Sequence, residues 1–180
     1  IREFSKNQIL KLEEEGIKTF CHPAESTFIC FDKVRTHLFL EQNGFFVPKA
    51  VYINHLEYWC ERPHKEIKSN VYKNYSLSKI SKMSFPVIIK DTVGLSSYSM
   101  EVAVSYKQAL AYLNSGRSST DRIVEEFMQG IQFGTEIYGF PGNYIVMPPF
   151  MFSVNKYGIT SPKQCIKLGP VTSPPFRLNE

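Results

Sequence analysis

The segment FPVIIKDTVGLSSYSM, residues 85–100, runs an apolar stretch into Lys90 and then reaches Gly94, Ser96, Ser97 and Ser99. A mostly buried strand delivers such a lysine to a rim. Small residues then let the backbone N–H groups of the next turn surround an anion, with serine hydroxyls as further donors. A nucleotide phosphate suits this chemistry, and a plain β-hairpin with a solvated lysine uses the same residues. The pattern is not the GxxxxGK[ST] loop, because here the lysine precedes the glycine and no helix follows directly. As a rim charge, Lys90 is expected to add little to stability.

RIVEEFMQG, residues 122–130, places Glu125 and Glu126 inside an apolar strand. Carboxylates are costly to bury unless they meet a donor or a cation. Strand alternation sets Ile123, Glu125 and Phe127 on one face and Val124, Glu126 and Met128 on the other. One acid must therefore point into whatever the sheet encloses, where an adenine amino group would be a suitable partner. A sheet edge with one outward acid is the plainer alternative.

Other residue types offer less. Cys21, Cys30, Cys60 and Cys165 show no CxxC pairing, and Cys21–His22 has no second pair at zinc-ligand spacing. Four scattered thiols are expected to be buried and reduced, as in a cytoplasmic protein. His22, His37, His55 and His64 lack a partnered nucleophile or acid at a recognisable spacing, so they are expected to be structural or on the surface. FMFSVNKY lacks interleaved basic residues and is expected to be a core strand rather than a base-stacking surface. KLEEE is expected to be a solvated helix face.

The elements that must position these groups are of mixed type. SKNQILKLEEEG predicts a helix boxed by Ser5 and Gln8 and stopped at Gly16. IKTFC and STFICF predict short strands, and FDKVRTHLFLEQNG a helix from Asp32 to Gly44. FFVPKAVYI is extended, and NHLEYWCE predicts a short helix boxed by Asn54 and Glu57. Residues 62–82 are the most linker-like stretch. FPVIIK and YSMEVAV predict strands, and SYKQALAYL a helix boxed by Ser105 and Gln108. DRIVEEFM, QFGTEIYGF and NYIVMPPFMFSV predict consecutive antiparallel strands. The proline-rich GPVTSPPF is excluded from a central strand.

With 180 residues, 43% of them hydrophobic, the chain can bury a real core. A net charge of +4, evenly spread, does not point to nucleic acid. No apolar run approaches the roughly 20 residues of a membrane span. The expected fold class is mixed α+β and α/β.

Taken together, these motifs resemble the ATP-grasp superfamily, most of all its D-alanine–D-alanine ligase branch. FDKVRTHLFLEQNGFFVPKAVYI resembles the family's Asp-Lys helix, Gly-x-x-x-Pro turn and strand. FPVIIKDTVGLSSYSMEVAV resembles its strand, lysine and serine-rich phosphate loop, and IVEEFMQGIQFGTEIYG its hinge strand and following turn. The resemblance implies an antiparallel sheet-plus-helix lobe preceded by the tail of an α/β unit. Its parts would be 1–54 as the preceding domain and linker, 55–130 as the N-terminal ATP-grasp lobe, and 131–180 as the start of a truncated C-terminal lobe.

The resemblance also implies roles. Lys33 and Lys90 match the two lysines that contact ATP phosphates, and Ser96 and Ser97 the serine pair of the phosphate loop. Glu125 matches the acid that takes the adenine amino group, and Glu126 and Met128 the positions whose backbone pairs with adenine. Gln132 stands where the family has a glutamate for the ribose hydroxyls. Leu95 and Ser99 replace loop glycines, and the third family lysine is Lys156, Lys163 or Lys167. The implied cofactors are ATP and Mg²⁺. The implied substrates are a small-molecule carboxylate and an amine, with a homodimer as a candidate assembly. The family's metal ligands lie on late strands, expected beyond Glu180, although Asn179 and Glu180 have suitable types. The chain is thus expected to be the middle of a longer enzyme that joins acid to amine through an acyl phosphate. A non-catalytic adenine-nucleotide-binding module is the competing reading.

Overall fold

The structure, a computed structural model, describes residues 2–18, 22–60, 70–94, 100–159 and 166–172. It is mixed α+β with antiparallel sheets, as expected, and divides into two compact units. The first holds the chain up to Gly94 and again up to Phe127, and the second the chain from Met128 on.

The first unit is built on four antiparallel strands: β1 (Ala50–Ile53), β2 (Val87–Asp91), β3 (Glu101–Ala103) and β4 (Arg122–Glu126). Their order is β1-β4-β2-β3. Val51, Ile53, Val87, Ile89, Ala103 and Val124 share one face, as period-two alternation requires. Three helices pack on that face: α4 (His55–Trp59), α5 (Val71–Ile80) and α6 (Tyr106–Leu113). They contribute Tyr58, Ile80, Ala109, Tyr112 and Leu113 to the core. Tyr52, Ile88, Lys90, Ile123 and Glu125 fall on the opposite face, where α3 (Lys33–Gln42) lies against Tyr52 and Glu125 through His37.

Helices α3 to α6 start on side-chain caps. Asp32 Oδ1 accepts from Val34 N at 2.9 Å, and Asn54 Oδ1 from Glu57 N at 2.9 Å. The expected Asn54–Glu57 box is half made, because the Asn54 N–H donates to the Tyr72 hydroxyl at 2.9 Å. Ser105 accepts from Gln108 N at 3.4 Å, while Gln108 Oε1 takes the Val104 N–H at 2.9 Å, one residue before the expected partner.

Four expectations are corrected. α1 runs over Arg2–Glu14, so Ser5 lies inside it rather than at its cap. STFICF is not a strand but part of α2 (Ala24–Cys30), which starts after Pro23 and carries Glu25 in its first turn. Packing against α1 and α3, with the Arg35 guanidinium 3.3 Å from the Phe28 ring centroid, overrides the strand propensity of Thr27, Phe28 and Ile29. The linker-like stretch holds α5, started by Asn70, whose Oδ1 accepts from Lys73 N at 2.8 Å. Cys30 is exposed and Cys60 half-buried, both free thiols, so neither is a fully buried residue.

The second unit divides the expected long strands. QFGTEIYGF yields β5 (Phe133–Gly134) and β6 (Ile137–Phe140), and NYIVMPPFMFSV yields β7 (Asn143–Val146) and β8 (Phe150–Phe152). Pro148 and Pro149 interrupt the latter, since proline cannot donate to a ladder. β5 and β9 (Lys167–Leu168) flank β8 in one sheet, and β6 pairs with β7 as a hairpin. Gly139 is required in that hairpin: its φ is +125°, and a Cβ there would lie 2.1 Å from the Asn143 carbonyl oxygen. No helix among the described residues is long and apolar enough to cross a membrane.

Candidate functional site

The sheet face that α3 covers gathers three of the expected residues: Lys33, Lys90 and Glu125. Register explains the closest pair. Ile88 faces Glu125 and Lys90 faces Ile123, so Lys90 and Glu125 are diagonal neighbours on one face. Their side chains meet directly, Lys90 Nζ against Glu125 Oε2, with 25% and 13% of their side chains exposed. The contact answers the cost of placing Glu125 among apolar residues. It also corrects the picture of Lys90 as a solvated rim charge.

Lys33 approaches from the first turn of α3. Its backbone N–H donates to the Thr92 carbonyl at 2.8 Å, and its Nζ donates to the Gly94 carbonyl at 3.2 Å. The helix start is thereby tied to the end of β2 and the residues just after it. Burial, and then the nearby Lys90 charge, hold the Lys33 ammonium below the ordinary lysine range, while Asp91, Asp32 and Glu125 oppose the shift. Lys33 and Lys90 bring two ammonium groups that can attract an anion, alongside the Glu125, Asp32 and Asp91 carboxylates. The first backbone N–H groups of α3 are engaged by Asp32 and Thr92, so the lysines rather than the helix start supply that attraction.

Residue types alone did not single out His37. Its ring, 7% exposed, places Nδ1 3.5 Å from Glu125 Oε1 and meets Tyr52 edge-on, with centroids 5.8 Å apart. The signal was its place four residues after Lys33, which puts both on one helix face.

The remaining expected residues are placed differently. Glu126 points to the other sheet face, where Oε1 accepts from Ser84 N at 2.7 Å, and its backbone N–H donates to the Lys49 carbonyl at 3.0 Å. Met128 and Gln132 are exposed and belong to the second unit. Ser96 and Ser97 lie outside the described residues, as does Lys163. Lys156 sits 5.0 Å from the Tyr157 ring centroid, and Lys167 pairs with Glu136 on the second unit. Among the described residues, no group of three or more His, Cys, Asp or Glu side chains could hold a metal ion.

No family model and no curated protein matches the sequence. Solved structures do match. The VanG D-Ala:D-Ser ligase from Enterococcus faecalis aligns over 86% of this chain and 41% of its own, with a TM-score of 0.64 and 21% identity. An L-amino acid ligase from Bacillus licheniformis aligns over 100% of this chain and 36% of its own, at TM-score 0.59 and 18% identity. A D-alanine–D-alanine ligase from Bacillus anthracis, complexed with ATP, aligns over 82% and 43%, at TM-score 0.54 and 18% identity. The chain thus spans about two fifths of the length of these ligases. With the sheet, the lysine pair and the acid in place, the fold is similar to that of the matching part of these ligases.

Proposed function

We propose that this chain binds the adenine nucleotide of an ATP-dependent carboxylate–amine ligase. The observation that supports this most directly is the convergence of Lys33, Lys90 and Glu125 on one sheet face near Gly94. In this reading Lys90 turns from Glu125 to the phosphates, and Lys33 adds the second charge. Ser96 and Ser97 would donate their hydroxyls to the same oxygens. Glu125, released from Lys90, accepts from the adenine amino group, and the backbone of Glu126 and Met128 pairs with the ring. Gln132 accepts from a ribose hydroxyl. ATP would phosphorylate the carboxylate, and the amine would displace phosphate from the acyl phosphate. The protein contributes positioning and charge neutralisation, the main requirements of phosphoryl transfer. When bound, Mg²⁺ would neutralise charge on the β- and γ-phosphates, but the described residues offer no set of ligands for it.

Calorimetric titration with ATP tests the binding. Dissociation constants from tens of micromolar to millimolar, about 4–6 kcal/mol, are expected. No saturable heat at millimolar ATP would overturn the reading. Phosphate release from ATP only when a carboxylate and an amine are both present would support the ligase over a nucleotide-binding module.

A further inference from the structure

His37 has no part in the nucleotide contacts proposed above, yet it is 7% exposed and aimed at the acid of that site. A buried imidazole is costly unless its ring nitrogens find polar partners. The two Glu125 oxygens are shared: Lys90 holds Oε2, and His37 Nδ1 lies 3.5 Å from Oε1. Nδ1 thus faces a carboxylate oxygen rather than solvent. Tyr52 fixes the ring plane from β1, with an interplanar angle of 81°. The imidazole thus sits between α3, β1 and β4, against the Glu125 carboxylate.

We propose that His37 is a positioning residue for Glu125 and thereby sets a preference for 6-aminopurine over 6-oxopurine nucleotides. The inference rests on the nucleotide reading above. Once Lys90 leaves for a phosphate, His37 is the neighbour that still orients the carboxylate. An oriented carboxylate accepts from an exocyclic amine and repels a 6-oxo group, because both are then acceptors. A carboxylate free to rotate would discriminate less.

The experiment compares ATP with inosine triphosphate by calorimetry, alongside thermal melts. Wild type should prefer ATP by about tenfold or more, the range for one hydrogen bond to a charged acceptor. His37→Leu should narrow that ratio by about threefold or more, and His37→Asn, which keeps a donor near the Nδ1 position, should restore most of it. In a Glu125→Gln background, His37→Leu should change nothing further. A folded His37→Leu protein with the wild-type ratio overturns the proposal. If that variant does not fold, equal ratios for His37→Asn and His37→Gln overturn it, because only asparagine keeps the donor in place. A wild type that binds both nucleotides equally overturns the His37 role while leaving nucleotide binding intact. A wild type that binds neither overturns both readings.

Discussion

Replacing Lys90 with methionine tests the site through stability as well as binding. Methionine keeps most of the apolar stem, so the change chiefly removes the charge. Two unit charges about 3 Å apart attract by roughly 5 kcal/mol at an effective dielectric constant near 20, and desolvation of both groups offsets much of that. The loss depends on what stays behind. Glu125, with 13% of its side chain exposed, would keep His37 Nδ1 at 3.5 Å but lose its direct cation. Breaking a fully buried pair costs about 3–5 kcal/mol, whereas exposed pairs contribute below about 1. With Lys90 one-quarter exposed, Lys90→Met should cost about 2 kcal/mol, by interpolation between those limits. Glu125→Gln should cost about 1 kcal/mol, because Lys90 can then swing into water. Urea denaturation of the wild type, both single variants and the double variant should reveal a coupling of about 1.5 kcal/mol. A Lys90→Met protein within about 0.5 kcal/mol of wild type, or an additive double variant, would refute the pairing argument. In the same set, Lys90→Met should weaken ATP binding by one to two orders of magnitude, roughly 1.5–3 kcal/mol. Unchanged affinity would remove Lys90 from the nucleotide site.

Three further outcomes are expected. Burial, followed by the neighbouring Tyr106, pushes the Tyr58 phenol up to about 12, above its unfolded value of 10.0. Its contribution is therefore complete below pH 10 and is lost as pH rises from about 10 to 12, about 2–3 kcal/mol in all. Alkaline denaturation of Tyr58→Phe should lack that component, and matching curves would reject it. Asn70→Ala removes the cap on Lys73 N and the bonds from Nδ2 to the Glu57 and Tyr58 carbonyls, at 3.0 and 2.9 Å. A loss of about 2 kcal/mol should appear in chemical denaturation, and a loss under about 0.5 would mean that α5 does not depend on this residue. Arg122, 2% exposed, pairs with Asp91 and donates to the Arg117 carbonyl at 2.8 Å. Arg122→Met should cost about 3 kcal/mol, and adding Asp91→Asn should recover part of it. Full additivity of the two changes would disprove the coupling.

Sequence by itself determined the features governed by local chemistry. Asp32, Asn54 and Ser105 start their helices because a short side chain next to the first turn satisfies its backbone donors. β2 and β4 were legible because apolar runs ending in Lys90 and Glu125 allow few other arrangements, and alternation fixed which face each residue takes. Where contacts come from distant chain, tertiary structure decided. STFICF became helix because α1 and α3 supply surfaces for it, and α5 formed beneath the sheet although its composition resembles a linker. The partnership of Lys90 with Glu125 follows from a strand register that no local pattern encodes. His37 entered the site for the same reason. One helix turn placed it beside Lys33, but only the packing of α3 on the sheet brought it to a carboxylate 88 positions away in the chain.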